Sequence, residues 1–153
     1  MQAIFTIGVS ASGKTTWAKS LVESNPDWVI ICRDDIRTML MGGKLDWSKW
    51  DWRREDEVSR IQWNWILDAK AHCLNVIIAD TNLPSVKNGK VVFSHAEKLA
   101  EKMQRFGFQI SWKEFDVTLE EAIERDKKRE GSVGEDVIRR QYKSWMAYKG
   151  MGE

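Results

Sequence analysis

The sequence has few cysteines, no long apolar segment and almost no excess charge of either sign. Its two cysteines, Cys32 and Cys73, lie in apolar stretches without a CxxC spacing, so we expect two thiols packed in the core. No apolar run approaches the roughly 18 residues that a membrane-spanning helix needs. The first residues, MQAIFTIGV, lack the features of a signal peptide, and we therefore expect a cytoplasmic protein without membrane contact.

Size and charge favour one globular domain over residues 1–153. The chain is 42% hydrophobic and 31% charged, which excludes wholesale disorder. With 24 Lys and Arg against 23 Asp and Glu, the net charge is +1. Any contact with nucleic acid must therefore come from a local basic patch, and the segment 125–143 is the best candidate, with seven basic and four acidic residues.

Tryptophan is unusually abundant, and three of the nine lie within the short segment 46–52, DWSKWDW. Trp47, Trp50 and Trp52 have two plausible roles. They could form a hydrophobic staple or lid packed on the domain. Alternatively, they could form a platform on which nucleobases stack, since such stacking contributes about 1–3 kcal/mol per base.

Apolar periodicity predicts strands that alternate with helices. Buried strands are predicted at 3–8, 28–32 and 75–80, and an edge strand at 108–117. Helices are predicted at 13–22, 34–41, 53–74, 91–106, 118–129 and 135–148, with a loop between Pro84 and Gly89 and a flexible connection at 130–134. This alternation predicts an α/β fold with a central, mostly parallel sheet of about four strands flanked by helices.

The first strand leads into a phosphate-binding loop. Gly8-Val9-Ser10-Ala11-Ser12-Gly13-Lys14-Thr15 fits the pattern G-x-x-x-x-G-K-[ST] between a strand and a helix. Backbone N–H groups and the helix N-terminus bind phosphate oxygens, Lys14 bridges the β- and γ-phosphates, and Thr15 ligates Mg²⁺. The pattern predicts binding of a nucleoside triphosphate with Mg²⁺, and the residues expected to bind it are Gly8, Ser10, Ala11, Ser12, Gly13, Lys14, Thr15 and Thr16.

Acidic side chains follow the second and third strands, where an α/β sheet places its ligand crevice. Asp34 could accept a proton from an attacking hydroxyl, while Arg37 on the same helical face could hold an anionic acceptor. Either Asp34 or Asp35 could instead cap the helix that begins there. Asp80 could hold Mg²⁺ through water, although an aspartate that ends a strand in a turn would look the same.

Two arginines near the C-terminus suit a lid over the transferring phosphate. Arg125 and Arg129 are four residues apart on one helical face and precede the glycine-bounded segment 130–134. The alternative is a solvated basic face paired with Glu121 and Asp126.

The ordered blocks IGVSASGKTTWA, CRDDIR, IIADTN, FDVTLEEAIERDKKR and YKSW resemble the kinase domain of the bacteriophage polynucleotide 5′-kinases over about 3–148. The resemblance implies a P-loop kinase fold with a C-terminal helical lid. It also implies transfer of the ATP γ-phosphate to the 5′-hydroxyl of DNA or RNA in the host cytoplasm, with a role in nucleic-acid repair.

Roles for individual residues come from the same resemblance. Asp34 corresponds to the general base, and Arg37 and Thr81 correspond to contacts with the acceptor phosphate 3′ of the reacting nucleotide. Arg125 and Arg129 correspond to lid arginines on the donor phosphates, so Asp34, Lys14 and Arg129 form the implied catalytic set. The DxDGT motif of the phosphatase found in larger members is missing, and the segment 42–60 departs from the family pattern.

Two other functions compete with this interpretation. A small-molecule or nucleoside kinase of the same fold would use the phosphate loop equally well, although a neutral acceptor offers no phosphate for Arg37 and Thr81. A regulatory module that binds nucleotide without phosphate transfer would leave the pairing of Asp34 with Arg37 without a purpose.

Overall fold

The computed structural model describes residues 1–92 and 94–150. Within these residues, four strands form one sheet, two short strands form a hairpin, and six α-helices surround the sheet. The strands are β1 Gln2–Ile7, β2 Trp28–Ile31, β3 Asn75–Ile78, β4 Ser85–Lys87, β5 Lys90–Val92 and β6 Gln109–Glu114. The helices are α1 Lys14–Ser24, α2 Arg33–Leu40, α3 Glu55–Ala71, α4 Ser94–Arg105, α5 Leu119–Lys127 and α6 Glu135–Gly150.

The sheet is parallel, with strand order β2-β3-β1-β6. Ile4 lies opposite Ile77 of β3 on one side and Ser111 of β6 on the other. Because β6 pairs only with β1 in this sheet, it is the edge strand that its alternating pattern predicted. The α/β class and the parallel sheet of about four strands are confirmed.

Helices cover both faces of the sheet. Ile78 of β3 packs in one apolar cluster with Ile66 of α3 and Met103 of α4. Its neighbour Ile77 lies in another cluster with Ala18 of α1. Successive residues of a strand point to opposite faces, so a continuous apolar strand requires a helix layer on each side.

The order of the strands places three loops at one edge of the sheet. The phosphate loop follows β1, α2 follows β2, and the Asp80 segment follows β3. Neighbouring strands are about 4.8 Å apart, and β3 lies between β1 and β2. The phosphate loop after β1 and the start of α2 after β2 are therefore separated by roughly 10 Å.

The region 84–92 is a hairpin, so the predicted loop with a helix from 91 is wrong in this detail. β4 and β5 pair antiparallel, with Lys87 opposite Lys90. The turn residues Asn88 and Gly89 both have positive φ, 52° and 72°. An Asn-Gly pair in that conformation matches the twist of a two-residue hairpin, and this local signal outweighs the helical periodicity that follows.

Two further expectations need correction. Cys73 is exposed, because α3 ends at Ala71 and Cys73 then adopts φ +54° in the turn that leaves the helix. Cys32 is half-buried and packs with the α1 cluster, as expected. The helix predicted from residue 53 is a short 3₁₀ turn, Trp52–Arg54, followed by α3.

The connection 130–134 is anchored at its end. The carboxylate of Asp126, with 3% of its side chain exposed, accepts hydrogen bonds from the backbone N–H groups of Val133 (3.1 Å) and Gly134 (3.0 Å). Asp126 thereby ties the end of α5 to the start of α6. Among the described residues, no helix is both long and apolar enough to cross a membrane.

Candidate active site

A cleft of about 1680 Å³ opens at the carboxyl edge of the sheet. It is lined by the phosphate loop, the first turns of α2, the segment after β3, and parts of α5 and α6. The candidate residues that line it are Ser10, Ala11, Ser12, Gly13, Lys14, Thr15, Thr16, Asp34, Arg37, Asp80, Thr81, Arg125 and Arg129. The structure therefore brings together, in one cleft, residues from four separate parts of the chain.

The phosphate loop depends on two glycines in different ways. Gly13 adopts φ +101° immediately before α1, a conformation that side chains rarely adopt. A Cβ at Gly8 would lie 2.8 Å from the carbonyl oxygen of Phe115, so Gly8 is required by close packing against the end of β6. Its own N–H donates to the carbonyl of Thr81 (3.1 Å), which fixes the loop against the segment after β3.

Lys14 is buried inside the loop that it serves. Its Nζ donates to the carbonyl of Gly8 (3.1 Å), the carbonyl of Val9 and the hydroxyl of Ser12 (3.2 Å). Burial, followed by the nearby positive charge of Arg129, lowers the pKa of Lys14 to about 8. A negatively charged phosphate at this position would favour the protonated form, so the loop is suited to an anionic ligand.

Asp80 caps α2 from outside the helix. Its Oδ1 accepts a hydrogen bond from the backbone N–H of Arg33 (2.8 Å), and Oδ2 accepts one from Gln62 Nε2 (3.3 Å). The expectation that Asp34 or Asp35 caps this helix is wrong, because the N-cap residue is Cys32 and both aspartates lie in the first turn. Burial raises the pKa of Asp80 to about 6, although the Arg33 hydrogen bond and nearby arginines oppose this rise.

Asp34 and Arg37 share one face of α2, as their spacing predicted, and they form an ion pair with each other. Arg37 Nη1 donates to Asp34 Oδ1 at 2.6 Å. The Asp34 side chain is half exposed to the cleft, and Oδ2 accepts no hydrogen bond from the described residues. One carboxylate oxygen is therefore available to a ligand hydroxyl.

Glu55, at the start of α3, holds both arginines of α2. It accepts hydrogen bonds from Arg37 Nε (3.0 Å) and Nη2, from Arg33 Nη2 (3.2 Å), and from the indole N–H of Trp50 (3.0 Å). Burial alone would raise the pKa of Glu55, but hydrogen bonds and charges from Arg37 and Arg33 hold it below its ordinary value. Sequence reasoning missed Glu55, because nothing local relates it to residues about 20 positions earlier.

The partners of Arg37 leave some of its hydrogen-bonding capacity free. A guanidinium has five N–H donors, and the described contacts of Arg37 use three of its nitrogens for one hydrogen bond each. The second N–H of each terminal nitrogen has no acceptor among the described residues, and the Arg37 side chain, 11% exposed, lines the cleft.

Of the residues after β3, Asn82 fixes the backbone, and Asp80 and Thr81 line the cleft. Asn82, at φ +49°, donates from Nδ2 to the carbonyls of Thr6 (2.7 Å) and Ile78 (3.2 Å). Thr81 lines the cleft, and its carbonyl binds Gly8. Asn82 therefore fixes the backbone that presents Thr81 and Asp80.

The C-terminal helices meet the phosphate loop directly. Arg125 Nη1 lies 3.5 Å from the carbonyl of Ala11, and Gln141 of α6 accepts a hydrogen bond from the backbone N–H of Ser10 (2.8 Å). Arg129 lies beyond the end of α5 at Lys127, so the expectation that it shares a helical face with Arg125 is wrong. It pairs through Nε at 2.9 Å with buried Asp126, one of the two partners that the alternative named, and it lines the cleft. Sequence reasoning missed Gln141, which carries no charge or motif to mark it.

The oxygen atoms of Thr15 and Asp80 suit a Mg²⁺ ion that is held mainly by the phosphates of a bound ligand. Thr15 is exposed at the mouth of the loop, and Asp80 lies in the same cleft. No cluster of three or more His, Cys, Asp or Glu that could hold a metal occurs within residues 1–92 and 94–150. Mg²⁺ commonly binds through one or two protein oxygens together with substrate phosphates, so one hydroxyl and one carboxylate are sufficient.

The tryptophan segment divides between core and cleft. Trp50 is 6% exposed and packs with Ile36 and Val58, as a hydrophobic staple should. Trp47 and Trp52 line the cleft, and their rings stack with centroids 5.6 Å apart and an interplanar angle of 19°.

Comparisons with known proteins agree with the fold. A family model described as an AAA domain matches residues 4–149. A viral protein named "Putative bifunctional polynucleotide kinase/RNA ligase", from Autographa californica nuclear polyhedrosis virus, is 30% identical over 95% of the chain. The chain spans only 21% of that relative's length.

Solved structures share the fold. A chain in the structure of the Pnkp1/Rnl/Hen1 RNA repair complex matches with a TM-score of 0.76 and 23% identity, covering 98% of this chain and 45% of that one. A second structure of the Pnkp1/Rnl/Hen1 complex matches with a TM-score of 0.63 and 22% identity, covering 81% and 39%.

Proposed function

Because the chain belongs to the AAA-domain family of P-loop kinases, we propose that it transfers the γ-phosphate of ATP to the 5′-hydroxyl end of DNA or RNA. The observation that carries this proposal is the Asp34–Arg37 pair, which faces the same cleft as the phosphate loop. A general base beside a cation suits an acceptor that brings a hydroxyl and a phosphate together.

The proposed reaction transfers one proton, forms one bond and breaks another. Asp34 Oδ2 accepts the proton of the 5′-hydroxyl as its oxygen attacks the γ-phosphorus, and the bond from that phosphorus to the β–γ bridging oxygen breaks. ADP leaves with the electron pair of the broken bond. Lys14 and the lid arginines Arg125 and Arg129 stabilise the negative charge spread over the phosphoryl oxygens.

Recognition of the acceptor rests on the free donors of Arg37. Its two remaining N–H groups, together with Thr81, would hold the phosphate on the 3′ side of the reacting nucleotide. Glu55 and Asp34 neutralise part of the arginine charge and orient the guanidinium, so the site selects a phosphate in one position. Mg²⁺, held by Thr15 and through water by Asp80, would supply charge neutralisation at the β- and γ-phosphates.

The proposal is tested with γ-labelled ATP, Mg²⁺ and three acceptor classes: 5′-hydroxyl oligonucleotides, nucleoside 3′-monophosphates and nucleosides. We expect label on oligonucleotide 5′ ends, and a kcat about 10²–10⁴-fold lower for Asp34→Asn with little change in ATP affinity. Asp35→Asn is the matched control, because Asp35 lies beside Asp34 in the same turn. If label reaches only nucleosides or other small molecules, the enzyme is a small-molecule kinase.

A further inference from the structure

Trp52 is the most exposed large apolar side chain of those described, at 62%, and it lies inside the cleft rather than on an outer surface. A large apolar ring left open to water in a ligand cleft is typical of a binding surface. Its ring stacks on Trp47, so the plane that it presents is already fixed before any ligand arrives.

Trp47 connects this ring to the acceptor side of the cleft. The guanidinium carbon of Arg37 lies 5.3 Å from the centre of the Trp47 ring, and the same arginine pairs with Asp34. A strand whose first phosphate is bound by Arg37 would therefore meet the Trp47–Trp52 pair next.

Two polar groups lie beside the pair, the ammonium of Lys44 and the indole N–H of Trp47. Lys44 is exposed, lines the cleft and forms no ion pair with any residue that the structure describes. The indole N–H of Trp47 is buried and has no hydrogen-bond partner within residues 1–92 and 94–150. Buried indole donors ordinarily find a partner, so the Trp47 N–H is an unsatisfied donor beside the cleft.

We propose that the Trp47–Trp52 pair stacks an unpaired nucleobase of the acceptor strand, on the 3′ side of the phosphate that Arg37 holds. This inference rests on the proposed function and narrows its substrate to single-stranded ends. An aromatic face accepts any base, because every base has a π-face, but a base engaged in a duplex cannot leave its stack without a cost.

The test compares Trp52→Leu, which removes the ring, with Trp52→Phe, which keeps a smaller one. We expect Trp52→Leu to lower kcat/KM for a single-stranded 5′-hydroxyl oligonucleotide by about 5- to 150-fold, and Trp52→Phe to lower it less. Neither variant should change kcat/KM for a nucleoside 3′-monophosphate, which has no base beyond that phosphate. Phe106→Leu is the control for loss of an exposed ring outside the cleft.

An abasic site in the acceptor strand removes the base that Trp52 is proposed to stack, just as Trp52→Leu removes the ring. Removing the second base should cost the wild type about as much as Trp52→Leu, and should cost that variant little more. An oligonucleotide with 2-aminopurine at this position gives a binding signal without turnover, because stacking on Trp52 should quench its fluorescence.

The outcomes separate this inference from the proposed function. If no oligonucleotide is phosphorylated by the wild type, the proposed function fails and this inference fails with it. If the wild type phosphorylates oligonucleotides and Trp52→Leu does so equally well, only the stacking inference is overturned. The stacking inference would also be overturned if only removal of the first base lowered kcat/KM, or if the enzyme preferred a fully paired 5′ end.

Discussion

At the scale of single residues, the cleft holds two ionisable groups whose pKa values are shifted toward the neutral form, buried Lys14 and half-buried Asp80. Burial lowers the pKa of Lys14 to about 8 and raises that of Asp80 to about 6. A triphosphate would stabilise charged Lys14, and a cation would stabilise charged Asp80, so both shifts suit a site that binds ATP with a metal.

Lys14→Ala should abolish transfer to every acceptor alike, because Lys14 serves the donor phosphates and not the choice of acceptor. The measurement is kcat/KM for an oligonucleotide and for a nucleoside 3′-monophosphate. Lys98→Ala, which removes an exposed lysine of α4, is the control. Selective loss with one acceptor would contradict the assignment of Lys14 to the donor.

Asp80 predicts a pH dependence of stability. Between about 3.8 and 6 the folded protein binds more protons at Asp80 than the unfolded chain does, so this contribution to stability falls as pH rises. Asp80→Asn should match the wild type near pH 4 and exceed its free energy of unfolding by roughly 1–3 kcal/mol at pH 7. Denaturant unfolding from pH 4 to 7 measures this, with Asp56→Asn, an exposed carboxylate of α3, as control. Parallel pH profiles for Asp80→Asn and the wild type would contradict it.

The residues that sequence could identify are those whose partners are close in the chain. The phosphate loop is contiguous, and Asp34 and Arg37 are three residues apart on one helix. Glu55 and Gln141 escaped notice because tertiary contact alone brings them to the site, across 18 and 131 residues.

At the scale of elements, the C-terminal helices depend on one buried carboxylate. Asp126 binds Arg129 and the two backbone N–H groups just before α6, so it sets the position of Arg129. The sequence predicted both helices, and the structure shows that Thr118 caps α5, because its hydroxyl accepts a hydrogen bond from the Glu121 N–H at 3.1 Å. It could not predict the anchor, because a buried aspartate within a charged helix looks like a solvated one.

Asp126→Ala should destabilise the protein by about 2–4 kcal/mol, because it leaves two backbone N–H groups without their acceptor. It should also speed cleavage by trypsin after Arg129 and lower kcat. Glu124→Ala, which removes an exposed carboxylate of the same helix, is the control. Equal stability and equal cleavage of the two variants would show that Asp126 does not anchor this connection.

At the scale of the whole molecule, the proposed function depends on the order of the strands. Because β3 separates β1 from β2, the phosphate loop and the start of α2 lie roughly 10 Å apart at one end of the sheet, which would leave room for a transferring phosphoryl group. Apolar periodicity predicted the strands and their parallel arrangement, but it carries no information on which strand is central. Apolar periodicity also could not predict the hairpin or the position of the tryptophan segment, both of which contribute residues to the cleft lining.

The most direct test of the proposed activity compares a nucleoside 3′-monophosphate with the same nucleoside as acceptor, in the wild type and in Arg37→Ala. The ratio of the two kcat/KM values is measured, because Arg37 also positions Asp34 and its loss lowers both. A charge-assisted contact of about 1.5–3 kcal/mol predicts that the wild type prefers the phosphorylated acceptor by roughly 10- to 150-fold and that Arg37→Ala loses this preference. A wild type without the preference, or a variant that retains it in full, would contradict recognition of a polynucleotide end by this site.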